Sequence, residues 1–164
     1  MTITVILDNV RSTYNVGAIM RTLDAVGGGA VVCCGITPYP ELPNDTRSPV
    51  VQSSNTKAIA KTALGAELAI DVSHQPTSLA AIAQLKSGTK VVALEQAPQS
   101  IDLFSFRTPS GDIALVVGSE VDGLASETLE ACDAVLQIPQ YGTKESLNVS
   151  VAAGIALYAV HSTR

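Results

Sequence analysis

The chain has 164 residues, of which 46% are hydrophobic and 15% are charged, and its formal net charge is -5. This composition excludes a generally disordered chain and a strongly basic nucleic-acid module, and the length suits one buried domain better than two. No apolar run approaches the roughly 18 residues that a membrane span needs, and no basic stretch precedes an apolar one at the start. We therefore expect a cytoplasmic protein without a membrane partner.

The charges are unevenly distributed along the chain. Residues 1–61 hold five basic and four acidic side chains, whereas the remaining residues hold five basic and eleven acidic ones. A polyanionic partner is therefore expected to meet the first third of the chain, or a surface that two chains build together.

Six short apolar segments predict β-strands, and helix-like segments separate them. Three of these strands are apolar at consecutive positions, which is typical of parallel strands that are covered on both faces. We therefore predict an α/β fold with a mostly parallel sheet and helices on both sides. The predicted strands are Thr2–Leu7, Ala30–Ile36, Leu68–Val72, Lys90–Leu94, Ile113–Val117 and Ala134–Ile138.

The segment between the first two predicted strands has the periodicity of a helix with one buried stripe, formed by residues such as Val16 and Leu23. Arg21 falls nearly opposite that stripe. Gly17, four residues earlier, leaves no side chain one turn above the guanidinium, so a ligand could approach it closely. On spacing alone, Arg21 could equally be an ordinary exposed arginine, and Asn15 could simply cap the helix.

Further helices are predicted at about Asn55–Leu64, Thr77–Leu85 and Ser126–Ala131, and the proline-rich segment Thr37–Val51 is predicted to be a long loop of the kind that is often functional. The last predicted helix, Leu147 to about His161, has no polar face. Because a helix that is apolar all round is buried all round, we expect a second subunit to cover it. A central core helix in a monomer is the alternative.

The cysteines and histidines form no pattern typical of a metal site or a nucleophile. We interpret Cys33, Cys34 and Cys132 as core residues, and His74 and His161 are too isolated for a zinc site. A glycine-rich phosphate loop is also missing after the first strand, because residues 27–29 follow the helix instead. This argues against a nucleotide-dependent enzyme of the Rossmann or flavodoxin type.

Three loops follow predicted strands at the edge where open α/β sheets bind ligands. The first contains NVGAIMR, the second contains VVGSEVDGL, and the third contains IPQYGTKESLN. Structural explanations exist for single residues, namely a tight turn at Gly118 and a helix cap at Ser146. Asn148 stands at the mouth of an apolar helix and must have a definite partner, because an unsatisfied polar group there is costly.

Taken together, the three loops resemble the three signature motifs of the SPOUT superfamily of RNA methyltransferases, in particular its SpoU/TrmH branch of 2'-O-ribose methyltransferases. The resemblance covers nearly the whole chain and implies one methyltransferase domain over residues 1–164, with a C-terminal trefoil knot and no separate RNA-binding domain. It also implies a homodimer in which each site lies near the first motif of the other subunit. The implied methyl donor is S-adenosyl-L-methionine, without a metal, held by Leu94, Gly118, Ile138 and Leu147.

The same resemblance implies a catalytic set and a substrate. The catalytic residues are Asn15, Arg21, Glu120, Ser146 and Asn148, and we expect Arg11, Arg21 and Lys144 to contact the RNA. In the usual family proposal the arginine takes the proton from a ribose 2'-hydroxyl. Since a guanidinium has a pKa above about 12, orientation and charge stabilisation are at least as suitable a role. A tRNA substrate is favoured, and the alternatives are rRNA or a knotted RNA-binding protein without turnover.

Overall fold

The structure, a computed structural model, describes residues 2–162, and within them seven strands form a sheet that six helices flank. The predicted domain also included residues 1, 163 and 164, which lie outside the described residues. The strands are β1 (Ile3–Asp8), β2 (Ala30–Cys34), β3 (Asp71–Gln75), β4 (Lys90–Leu94), β5 (Ile101–Asp102), β6 (Ile113–Val117) and β7 (Ala134–Gln137). The helices are α1 (Thr13–Ala25), α2 (Pro49–Ala63), α3 (Ala66–Ala69), α4 (Ser78–Ala83), α5 (Ser126–Glu130) and α6 (Val149–Ser162).

All six strand pairings are parallel, and the order across the sheet is β3-β2-β1-β6-β4-β7-β5. Val117 pairs with Leu7 on one side and with Leu94 on the other, and Leu94 also pairs with Leu136. The carboxyl ends of four central strands therefore lie side by side. This confirms the predicted α/β fold and gathers the loops after β1, β4, β6 and β7 at one edge.

Helices cover both faces of the sheet, as predicted. On one face, Leu7 packs in a core that includes Ile19 of α1, Ile59 of α2 and Leu157 of α6. On the other face, a smaller core contains Ile6 and joins the sheet to α4 and α5. Alternate residues of β1 thus enter different cores, which explains why the strand is apolar at consecutive positions.

The three cysteines contribute to these cores rather than to a disulfide or a reactive site. Cys33 and Cys34 are buried, Cys132 is half-buried, and all three are free thiols. Burial raises the pKa of Cys34 to about 12 and that of Cys132 to about 11, so both remain protonated at neutral pH. The interpretation of the cysteines as core residues is confirmed.

Gly17 is where α1 and α2 pack most closely. A Cβ atom added there would overlap the carbonyl oxygen of Ile59 and the hydroxyl of Thr62, and would lie 3.0 Å from the Ala63 nitrogen. The Thr62 hydroxyl also donates a hydrogen bond to the Tyr14 carbonyl, at 2.9 Å. The glycine therefore permits helix contact, which differs from the predicted role of leaving space above Arg21.

Two elements differ from the prediction by more than two residues, and a third was not predicted. Helix α2 begins at Pro49 instead of Asn55, because Ser48 caps it by accepting a hydrogen bond from the Val51 nitrogen and proline suits the first turn. The predicted strand Leu68–Val72 is instead the end of α3 followed by β3, whose polar, half-exposed residues at the edge of the sheet lack an apolar pattern. Strand β5, with two residues, is too short to produce a periodic signal.

The predicted long loop is shorter than expected and is ordered by Arg47. The Arg47 guanidinium pairs with Asp45 at 2.5 Å, donates to the carbonyls of Tyr39 and Pro40, and lies 3.4 Å from the centre of the Tyr39 ring. Hydrogen bonding to Arg47 lowers the pKa of Asp45 to about 2. The Tyr39 ring stacks on His74, which identifies this histidine as a packing residue.

Helix α6 is covered on one face only within its own chain. Ala153 and Leu157 are fully buried against α1 and the sheet, whereas Val151 is 50% exposed and Tyr158 is 53% exposed. As expected, the described part of the chain leaves the other face of this helix uncovered, and the second subunit that would cover it stays a prediction. Among residues 2–162, no helix is both long and apolar enough to cross a membrane.

Candidate active site

A cavity of about 580 Å³ opens at the carboxyl edge of the sheet, between the loops that follow β4, β6 and β7 and the start of α6. All four residues predicted to hold the donor line it, namely Leu94, Gly118, Ile138 and Leu147. The volume lies within the range of roughly 300–1,000 Å³ that is usual for sites that bind small molecules. The cavity is therefore large enough for a nucleoside-sized ligand.

Three of the predicted catalytic residues form a connected polar triad, which we define as Asn15, Glu120 and Asn148. The Asn15 amide nitrogen donates to Glu120 Oε1 at 2.6 Å, and the Asn15 amide oxygen accepts from Asn148 Nδ2 at 3.2 Å. These bonds join α1, the turn after β6 and the start of α6. The polar triad thus brings together residues from the three loops that sequence reasoning selected.

Asn148 has the definite partner that was predicted, and it also caps α6. Its side-chain oxygen accepts from the Ser150 nitrogen at 2.9 Å and from the Ser150 hydroxyl at 2.6 Å. At the other end of the triad, Ser12 caps α1 by accepting from the Asn15 nitrogen. Ser146 and Asn15 are therefore not the helix caps, and the Asn15 side chain can reach Glu120.

The geometry of the turn between β6 and α5 explains why it contains glycines at positions 118 and 123. A Cβ atom at Gly118 would lie 2.5 Å from the Gly123 carbonyl carbon and 2.8 Å from the Leu124 nitrogen. Gly123 has a φ of +64°, and its nitrogen donates to the Ser119 carbonyl. The close return of the backbone therefore requires glycine at position 118, in agreement with the tight-turn interpretation.

The other predicted site residues lie outside the polar triad. Arg21 is six residues beyond Asn15, about 9 Å further along α1 and on a different face. Its side chain is exposed and has no hydrogen bond or ion pair within residues 2–162. Ser146 lines the cavity and Lys144 lies in the exposed loop before α6. Arg11 pairs with Asp122 at 3.4 Å, and this exposed pair contributes little to stability.

Sequence reasoning missed how acidic the cavity is. Glu95, Glu120, Asp122 and Glu145 line it, and no lysine, arginine or histidine stands among the described residues of its wall. The resulting negative potential favours a ligand that carries positive charge. Within residues 2–162, no cluster of three or more histidine, cysteine or acidic side chains could hold a metal ion.

Glu95 is the most informative of the missed residues. It follows the buried strand β4 directly, and its carboxylate accepts hydrogen bonds from the Leu124 nitrogen and the Gln96 nitrogen, each at 2.9 Å. The available signal was its position, because an acidic residue at the carboxyl end of a parallel strand stands where ligands bind.

Asp8, the last residue of β1, is a buried carboxylate at the same edge of the sheet. Its side chain accepts from the Ser78 hydroxyl at 3.1 Å and from the Asn9 amide at 3.0 Å, and Ser78 also contacts the Thr128 hydroxyl. Burial raises the pKa of Asp8, and the hydrogen bond from Ser78 opposes that rise in part. The group is a structural link between β1, α4 and α5.

Residues 2–158 match the model of the SpoU rRNA Methylase family. A curated relative, the 23S rRNA (guanosine-2'-O-)-methyltransferase RlmB of Coxiella burnetii, is 38% identical over an alignment of 165 positions that covers 97% of this chain and 58% of that protein. The chain thus spans a little over half the length of the curated relatives that it matches.

Solved structures share the fold over almost the entire chain. An AdoMet-bound rRNA methyltransferase from Sinorhizobium meliloti superposes with a TM-score of 0.80 at 28% identity, covering 98% of this chain and 56% of that one. A second structure, solved to explain 2-OH methylation of C/U34 on tRNA, has a TM-score of 0.73 at 25% identity and is matched over 95% of its own length. Both similarities cover at least 98% of this chain.

Proposed function

Because this chain belongs to the SpoU rRNA Methylase family, we propose that it transfers a methyl group from S-adenosylmethionine to a ribose 2'-hydroxyl of RNA. The observation that carries the proposal is the cavity beside the polar triad, where all four predicted donor-binding residues meet. The trefoil knot that the resemblance implies stays a prediction.

The residues of the cavity fit the donor chemically. Leu94, Ile138 and Leu147 offer apolar surface for an adenine ring, and the carboxylates of the wall suit a sulfonium and an ammonium group. S-adenosylmethionine supplies, when bound, a methyl group on a positively charged sulfur that is already activated for transfer. The protein then has to align the acceptor hydroxyl with that methyl group and remove its proton.

The polar triad supplies orientation at the mouth of the cavity. The side-chain nitrogen of Asn15 is hydrogen-bonded to Glu120 and its side-chain oxygen to Asn148, so the amide group cannot rotate freely. We infer that the triad positions the ribose, with Ser146 beside it as a further hydroxyl. Arg21 stabilises the alkoxide that develops on the ribose and binds an adjacent phosphate through its planar guanidinium, and Arg11 and Lys144 extend this contact.

Arg21 reaches this chemistry only if a second subunit takes part. It is exposed and is not part of the wall of the cavity in its own chain. The exposed apolar residues of α6, Val151 and Tyr158, lie two helical turns apart on one side and provide a surface for a second copy. We therefore propose a homodimer in which the Arg21 of one subunit serves the cavity of the other.

The RNA substrate is best proposed as ribosomal RNA. The relative from Coxiella burnetii acts on 23S rRNA according to its name, which favours the rRNA alternative over the tRNA that the sequence resemblance favoured. A tRNA is the second candidate, because the structure solved for tRNA methylation is matched over 95% of its length whereas the rRNA enzyme is matched over 56%. The two candidates differ in substrate and share the reaction.

The experiment uses the purified protein with tritiated S-adenosylmethionine and, separately, unmodified ribosomal RNA and bulk tRNA. We expect label on ribosomal RNA, recovered as a 2'-O-methylated nucleoside after digestion and mass analysis, and we expect calorimetry to detect the donor but neither NAD nor ATP. Label on tRNA alone would select the second candidate. Donor-independent RNA binding without transfer would instead support a knotted RNA-binding protein and refute the enzyme.

A further inference from the structure

Glu95 connects two loops that build the cavity. Its backbone nitrogen donates to the Leu136 carbonyl at 2.9 Å, which keeps the residue in the ladder between β4 and β7. Its side chain leaves that ladder and accepts from the nitrogen of Leu124, 29 residues further along the chain. The carboxylate thereby holds the turn of residues 118–124, which carries Gly118 and Glu120, against the end of β4.

The turn is shaped around this carboxylate. A Cβ atom added at Gly123 would lie 2.5 Å from Glu95 Oε2, and the φ of +64° at Gly123 already disfavours other residues. Gln96 adds a second connection, because its side-chain nitrogen donates to the Glu145 carbonyl at 2.7 Å. Two consecutive residues after β4 therefore hold both of the other loops that line the cavity.

We propose that Glu95 is a positioning residue for the methyl donor, which keeps the cavity in its binding shape by fixing the turn of residues 118–124. The proposal rests on the proposed function, since it assigns the cavity to S-adenosylmethionine. Glu95 acts through the turn and need not touch the reacting atoms. None of the three signature motifs contains it.

The chemistry of the contact requires a carboxylate. Two backbone N–H groups, of Leu124 and Gln96, point at the two oxygens of one side chain. Glutamate offers two acceptors, whereas glutamine offers one acceptor and an NH2 group that would face one of the N–H donors. Glu95→Gln therefore keeps the size of the side chain and disrupts one of the two hydrogen bonds.

The test measures donor affinity, turnover and stability for the wild type, Glu95→Gln and Glu145→Gln. Glu145 lines the same cavity, but within residues 2–162 its side chain makes no hydrogen bond and only its backbone carbonyl accepts one, from Gln96, so its variant measures the loss of one negative charge alone. For Glu95→Gln we expect the Kd and KM of S-adenosylmethionine to rise about tenfold or more, as for loss of a hydrogen bond to a charged group. We expect kcat at saturating donor to change little, because bound donor favours the positioned turn. The melting temperature should fall by a few degrees, because the hydrogen bond is lost in the folded protein itself.

The outcomes of this test distinguish a positioning role of Glu95 from an effect of the negative charge in the cavity. A wild-type Kd in Glu95→Gln would overturn the proposal, and so would an equal loss in both variants, since that would assign the effect to cavity charge. A wild type that binds no donor would refute the proposed function together with this inference, whereas a binding wild type with an unaffected variant refutes this inference alone. If Glu95→Gln does not fold, amide exchange in the wild type decides: protection at Leu124 supports the contact, and exchange as fast as at exposed Val121 overturns it.

Discussion

Replacing Gly17 with alanine tests whether α1 and α2 must touch for the site to form. The added methyl group would overlap the Ile59 carbonyl oxygen, which is a backbone atom, so the helices would have to separate. Overpacking of this kind typically costs about 1–3 kcal/mol. The exchange of glycine for alanine inside a helix acts in the opposite direction, with a gain of up to about 1 kcal/mol.

Gly154 in α6 provides the matched control. A Cβ atom there would meet only Thr22 Cγ2, at an ordinary distance of 3.6 Å. Because both alanine variants gain the same helix propensity, the difference between their free energies of unfolding isolates the overlap. We expect Gly17→Ala to be less stable than Gly154→Ala by about 2 kcal/mol, a difference of roughly 4–8 °C in melting temperature for a chain of this size. Urea unfolding with matched m values provides the measurement, and equal stability of the two variants would refute the close-packing explanation.

The same pair of variants distinguishes the two explanations for Gly17. If the glycine serves helix packing, Gly17→Ala loses stability and also loses activity, because Thr62 anchors Tyr14 next to Asn15. If it serves to leave space above Arg21, methyl transfer falls while the free energy of unfolding rises as it does in Gly154→Ala. Methyl transfer measured well below the melting temperature separates these results.

Three further predictions concern Arg21, Val151 and Asp8. Arg21→Ala is expected to lower methyl transfer by about 10²- to 10³-fold with donor affinity unchanged. Arg21→Lys should also lose activity, because a point charge cannot replace the planar guanidinium. Full activity of Arg21→Ala in the tritium assay would remove the residue from the mechanism. Val151→Asp places a charge on the exposed face of α6 and should shift the dimer to monomer in sedimentation, whereas a monomeric wild type would contradict the proposed dimer. The pKa of Asp8 is raised in the folded state, so above the ordinary value of 3.8 the folded state binds more protons than the unfolded state. The contribution of Asp8 to stability therefore falls as the pH rises from the unfolded-state pKa to the folded-state pKa. Asp8→Asn cannot ionise, so its stability relative to the wild type should increase from pH 4 to pH 7. If the difference in urea midpoint between the variant and the wild type is the same at both pH values, the assignment is contradicted.

The parallel sheet could be predicted because its central strands are buried on both faces and therefore carry runs of consecutive apolar residues, as in β6. The three ligand loops followed from the same reasoning, since the carboxyl ends of neighbouring parallel strands share one edge. The edge strands β3 and β5 were missed or displaced, because a half-exposed or two-residue strand has no such pattern. Secondary structure at the edges depends on tertiary contacts that a local sequence window does not contain.

The site likewise contains residues that the sequence could predict and residues that it could not. The resemblance of three loops to family motifs selected Asn15, Glu120 and Asn148, and the structure joins them by hydrogen bonds. Glu95 could not be found by spacing, because its partner at Leu124 becomes a neighbour only when β4 and β6 pair. The reason for a glycine at position 17 was equally hidden, since it depends on the approach of α2.

The pairing of β1 with β6 has a consequence for how the protein folds. Ile3 lies opposite Ile113, so the two strands at the centre of the sheet are separated by most of the chain. At synthesis rates of 5–20 residues per second, β6 emerges roughly 5–20 s after β1. Until then one side of β1 has no neighbour to accept its backbone hydrogen bonds, and the sheet cannot close around its core. Such long-range pairing predicts slow refolding, in the range of milliseconds to seconds or longer. It also leaves one edge of β1 unpaired on the nascent chain, and such an edge can pair with strands of other chains.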